Sequence, residues 1–294
     1  MIDRERPRGL KLLFVWRGSV VARILPQILG FALYAAGVVA VTQALGLGFS
    51  NAGVAPFALV GVTLSVYLSF RNNAAYDRWW EARRLWGQIV AEARTLPRAT
   101  EALLPEPGAR RRFLMSFLAF CHLLRGRLRD IDAQGEAGTF VPDPPRSATE
   151  ALRRMGSELA AARRTGALDP IGHRILEERL TALTQVEAGC ERIAGTPLPF
   201  AYTLLLHRTA YIFCLLLPFG LVASAGWATP LFTALIAYTF FGLDRLSEEL
   251  EEPFGTEAND LALDSLCRTC EISVLEALGE PAPPPLAPRD HYLS

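Results

Sequence analysis

Two stretches of this chain carry no charge at all: residues 24–70, about 47 positions, and residues 209–243, about 35. One membrane span needs about 20 consecutive apolar residues, so each stretch has the length of a helical hairpin. Gly, Asn and Pro gather near the middle of both, at residues 46–53 and 224–229, which marks two short neutral turns. Backbone groups in a bilayer must be satisfied within their own segment or in a closed barrel, and no strand-type alternation is present. The expected fold class is therefore an all-α membrane protein with four transmembrane helices and a cytosolic helical bundle.

Composition agrees with a mixed chain. Its 294 residues are 51% hydrophobic and 20% charged, with a mean hydropathy of +0.22. That is too apolar for an ordinary soluble domain and too charged for spans alone. Arg4, Arg6, Arg8, Lys11, Arg17 and Arg23 precede the first uncharged stretch, and Arg71, Arg78, Arg83 and Arg84 follow it, while both turns lack basic residues. Positive flanks stay inside, so both termini are expected in the cytosol of a multi-pass protein of the inner (plasma) membrane. The first apolar stretch extends well past a signal-peptide core and reads as a retained span. Thirty basic and thirty acidic residues cancel, and their dispersal leaves no nucleic-acid footprint.

These patterns divide the chain into a cytosolic amphipathic segment (1–23), a transmembrane hairpin (24–70), a cytosolic helical domain (71–198), a second hairpin (199–248), a C-terminal helical segment (249–278) and a proline-rich tail (279–294). Within the cytosolic domain the spacing predicts helices over residues 86–96, 109–129, 147–162 and 169–194. Ser147 with Glu150 three residues on reads as a capping box. Residues 131–146, rich in Gly, Pro and Asp, read as an exposed loop, and the tail as extended or disordered.

Reactive chemistry is sparse. His122, His173, His207 and His291 are dispersed, and none forms the helical pair with an adjacent acid of a metalloprotease. Cys267 and Cys270 form a lone C-x-x-C, which at helical spacing reads as small core side chains. No phosphate-binding glycine loop and no G-x-S-x-G elbow is present. An enzyme is not expected.

Where the first uncharged stretch ends, Val62, Val66 and Phe70 fall at i, i+4 and i+8, one apolar stripe on a helix. Pro56 is expected to break or begin that helix. Beyond it Tyr76, Trp79, Trp80 and Trp86 mix with Asp77, Glu81, Arg83 and Arg84. Such a mixture suits a membrane interface, and the spacing predicts that Arg84 pairs with Glu81 or Asp77.

The segment FRNNAAYDRWWEARRLWG at residues 70–87 closely resembles the segment after the pore-lining helix of bestrophins, a family of pentameric ion channels. Two further segments resemble that family in order: PLPFAYTLLLHRTAYIF at 197–213, like the start of its third span, and EEPFGTEANDLALDSL at 251–266, like the acidic segment after its fourth. The bacterial branch is the closer match. The resemblance implies a homopentamer around an axial pore, with the lipid bilayer and monovalent ions as partners. Carried over, its hydrophobic neck falls on Val62, Val66 and Phe70, and a second, cytosolic constriction on Leu206. Asp77, Asp244 and Glu248 become candidate acids of the pore vestibule. Animal members clasp calcium with consecutive aspartates; here the stretch reads TEAND, leaving Glu257 and Asp260, with Glu249 and Glu252 before them, as candidate ligands. Helix-start acids stabilising the helix macrodipole are the alternative role of these residues. The bacterial resemblance implies cations, with chloride as the alternative ion. A non-conducting scaffold or a membrane-anchored enzyme is the alternative of another class.

Overall fold

A computed structural model describes residues 1–2, 15, 18–46 and 55–294 of the chain, and among these the regular structure is helical apart from isolated bridges at Ile2, Arg289 and Tyr292. Most of the N-terminal segment and most of the expected first turn lie outside the described residues. The chain divides into two compact units, Met1–Arg4 with Trp79–Thr196 and Glu252–Ser294, and Glu5–Arg78 with Pro197–Glu251.

The second of these, the apolar unit, holds α1 (Val21–Leu45), the first part of α2 (Ala55–Leu103), α7 (Phe200–Ala225) and α8 (Thr229–Glu251). Gly46, in the left-handed region at φ 61°, stops α1 and donates its amide back to Gln43. Pro56 stands in the first turn of α2, where a missing amide costs nothing. Between α7 and α8 the chain turns through a single 3-10 turn, Gly226–Ala228, and Trp227 Nε1 donates to Gln43 Oε1 of α1 at 3.0 Å. Phe31 stacks on Phe241 at 5.5 Å, and Tyr211 meets Phe241 edge-on. Gly220 admits the Phe57 ring so closely that a Cβ would lie 2.4 Å from it.

Much of this unit's apolar surface stays outside: Leu29, Leu33, Leu45, Leu215, Leu216, Leu231 and Leu235 are all exposed. Water would penalise such faces; lipid does not. Val21–Leu45 and the stretch Phe200–Glu251, which the 3-10 turn folds into two helices, are long and apolar enough to cross a membrane.

The first unit, the helical unit, is built around α3 (Pro107–Arg129), whose residues from Phe113 to Gly126 are buried without interruption. Around it stand the second part of α2, α4 (Gln134–Gly138), α5 (Ala148–Arg164), α6 (Pro170–Gly195) and α9 (Leu263–Leu278). The helix starts follow capping chemistry. Glu106 accepts the amides of Gly108 and Ala109, and Asp169 those of Ile171 and Gly172, each with Pro in first helical position. Ser147 accepts the Glu150 amide, but the Glu150 carboxylate reaches back to Arg146 rather than to Ser147.

Four local expectations change. α2 does not end before Pro97 but runs on to Leu103: burial of Leu96, Thr100 and Leu104 offsets the lost amide, and the Thr100 hydroxyl donates to the Leu96 carbonyl at 2.7 Å. The supposed open loop at 131–146 contains α4, held by the buried Ala137 and an ion pair from Arg125 to Glu136. The tail is extended, as its prolines dictate, yet anchored: Arg111 pairs with Glu280 at 2.7 Å and the Ser265 amide donates to the Ser294 carbonyl at 2.9 Å. Glu81 pairs with Arg192 of α6 instead of Arg84.

Candidate ion pathway

Along the first part of α2, Gly61, Leu64, Leu68, Arg71 and Ala75 turn inward at alternating steps of three and four. That regular inward row forces the residues between them outward. Val62, Val66 and Phe70 are therefore 63%, 47% and 60% exposed, against 2% and 1% for Leu64 and Leu68. Ser69 and Asn73, one turn apart on the same outward arc, are exposed as well. The Ser65 hydroxyl donates to the Gly61 carbonyl, which hides its polarity in the helix. On one flank of the stripe a cavity of about 580 Å³ is lined by Val62 and Val66 of α2, Phe213 and Leu217 of α7 and Phe240 of α8.

The other predicted residues fare differently. Leu206 is 3% exposed and belongs to the core cluster of Leu64, Leu68 and Ala210, whereas its neighbour Leu205 is 62% exposed. The Leu206 side chain is thus enclosed by its own protomer. Asp77 is exposed. Asp244 is buried, ion-paired with the fully buried Arg71 and hydrogen-bonded to His207. Glu248 pairs with Arg245 at 2.7 Å.

Two of the acids carried over for calcium are tied to the protein. Glu249 pairs with Arg23 at 3.0 Å and with Arg245 at 3.7 Å. Asp260 accepts the Glu257 amide at 2.7 Å and lies where a Cβ on Gly255 would touch it. Calcium takes six to eight oxygens, and among the described residues no group of three or more His, Cys, Asp or Glu gathers to hold a metal. As they stand, these residues do not fit a calcium site.

The five cysteines are free and buried, and Cys267 and Cys270 stand in the core of the helical unit. Burial pushes the Cys190 thiol up to about 12. His122 faces Glu271 at 2.8 Å with Phe140 stacked on its ring, an enclosed structural pair. The sequence reading missed Arg71 and His207, although the signal was present: Arg71 is the first charge after one uncharged stretch, Asp244 the first after the other, and His207 with Arg208 ends just before the second begins.

Comparison with known proteins gives one answer throughout. The family model described as bacterial/fungal bestrophin protein matches residues 1–276. A protein of Mesorhizobium japonicum, named a voltage-dependent anion channel-forming protein, is 62% identical over 99% of this chain and 96% of its own. One of Escherichia coli K12 with the same descriptive name is 42% identical over 99% of both. The crystal structure of a bacterial bestrophin homologue from Klebsiella pneumoniae superposes with a TM-score of 0.80 at 38% identity, covering 89% of this chain and 99% of that one. With its apolar hairpin helices, its outward stripe on α2 and this likeness along nearly its whole length, the chain belongs to the bacterial and fungal branch of the bestrophins, a family of membrane ion channels rather than enzymes.

Proposed function

We propose that the protein is a homopentamer in which α2 of each copy lines an axial pore, with Val62, Val66 and Phe70 forming three stacked apolar rings. The spans are α1, the part of α2 up to Phe70, α7 and α8, so that residues 24–70 and 199–248 form hairpins and both ends of the chain face the cytosol of an inner membrane. The observation that carries this reading is the exposure of the three stripe residues on a helix whose inward row is fully packed. An apolar row that its own protomer leaves uncovered, next to a cavity with apolar walls, is what neighbouring copies would enclose. An ion passing such a neck must shed water with no polar group in return, so the rings gate by dewetting.

The names of the relatives support an anion as the permeant species. Asp77, the first charged residue exposed on α2 beyond the stripe, supports the second reading, a cation drawn by a ring of acids. The reversal potential of purified protein in a planar bilayer under a sodium chloride gradient decides between them. A value near the chloride potential supports the anion reading, and one near the sodium potential, shifted by Asp77→Asn, the cation reading. Absence of current from an intact oligomer would overturn the pore.

A further inference from the structure

Directly after Phe70, the last residue of the stripe, the side chain of Arg71 turns into the apolar unit and is 0% exposed. It is ion-paired with Asp244 of α8, and its Nη2 stands 3.6 Å from Glu251 Oε2 at the end of the same helix. Its Nε and Nη2 find no hydrogen-bond acceptor among the described residues, so the pairing rests mainly on Asp244. The second oxygen of Asp244 meets His207 Nδ1 of α7 at 2.9 Å. One buried carboxylate on α8 thereby holds the pore helix with one oxygen and α7 with the other.

His207 is the open member of this group: its side chain is 46% exposed, against 7% for Asp244 and 15% for Glu251. Tyr211, one turn on, closes the other side of the imidazole at 4.8 Å. The remaining charges near this end of α8 are engaged: Arg245 with Glu248 and Glu249, Arg23 with Glu249, and Arg78 with the Glu251 carbonyl. Arg208, the next residue along α7, is exposed.

We propose that Arg71, Asp244, Glu251 and His207 form a clamp that fixes the rotation of the pore helix immediately below the neck, with Arg71 as a positioning residue and His207 as its exposed member. One guanidinium and two carboxylates sum to a single negative charge, in a setting where each charge is felt strongly. A fixed positive charge at position 207 neutralises that sum, tightens the clamp and holds Phe70 in its constricting position; a neutral side chain there leaves it looser. This inference rests on the neck reading above.

The test is open probability in planar bilayers for wild type, His207→Gln, His207→Lys and Phe70→Ala. Open probability of His207→Gln is expected to exceed that of His207→Lys by about fivefold or more, the lower end of typical coupling between linked sites, an opposition that a packing role would not produce. Equal open probability in the two His207 variants, or a higher value in His207→Lys, overturns the clamp. Phe70→Ala separates the two readings: unchanged conductance in that variant defeats the neck, whereas equal His207 variants beside a more conductive Phe70→Ala defeat the clamp alone.

Discussion

Replacing Asp244 with Asn removes a charge while keeping the shape and an oxygen for His207, so it isolates the ion pair with Arg71. The Arg71 side chain is 0% exposed and that of Asp244 7%, so the variant leaves a guanidinium buried with one weaker partner, Glu251, at 3.6 Å. Breaking a buried pair from one side costs about 3–5 kcal/mol, and the surviving contact places this case at about 3 kcal/mol. At 2–4 °C per kcal/mol for a chain of this order of size, the melting temperature should fall by roughly 6–12 °C. Tryptophan fluorescence of the purified protein during heating in detergent reads it. The double variant Arg71→Met with Asp244→Leu should recover most of the loss, because exchanging both charges for apolar volume is often neutral or stabilising. Asp244→Asn melting with wild type, or a double variant no better than the single one, would show that Arg71 is not held by this pair.

In the helical unit, burial raises the Asp264 carboxyl, but Arg129 and Arg125 together outweigh it and hold the group below its ordinary value. A depressed acid stabilises the fold above its unfolded value and loses that contribution as pH falls through the folded one; the melting temperature should therefore drop between about pH 5 and pH 3, and Asp264→Asn should flatten that drop at the expense of stability at neutral pH. A Cβ at Gly220 would stand 2.4 Å from the Phe57 ring, so Gly220→Val should force α7 away from α2 and destabilise the fold by about 1–3 kcal/mol of overpacking, read as a lower melting temperature, while Gly37→Val in α1, where nothing lies within 4 Å, should change it far less.

What the sequence disclosed depended on how local its cause was. The uncharged stretches announced α1, α7 and α8 because lipid demands long apolar helices, and Ser147 announced α5 because a cap is a contact within one turn. The exposed arc of Val62, Val66 and Phe70 was legible for the same reason, since helical spacing alone separates it from Leu64 and Leu68. The burial of Leu206 was not legible, because one residue rotates a helix by about 100°, enough to exchange the exposed Leu205 for a buried side chain. The course of α2 through Pro97 was hidden because distant burial overrode a local breaker. The pairing of Arg71 with Asp244 joins residues 173 apart in sequence, a long-range contact that no local pattern encodes, although both stand as the first charge beyond an apolar stretch.

The central claim is that Val66 faces the ion path, and it can be tested on a clean background because the native cysteines, Cys121, Cys190, Cys214, Cys267 and Cys270, are all buried. Single-channel recording of Val66→Cys before and after a charged methanethiosulfonate reagent is the measurement. Current through the variant should be blocked within the open time of the channel, while wild type is unaffected. Persistent full conductance in a variant shown by mass to be labelled at that cysteine would place Val66, and the neck with it, away from the pore.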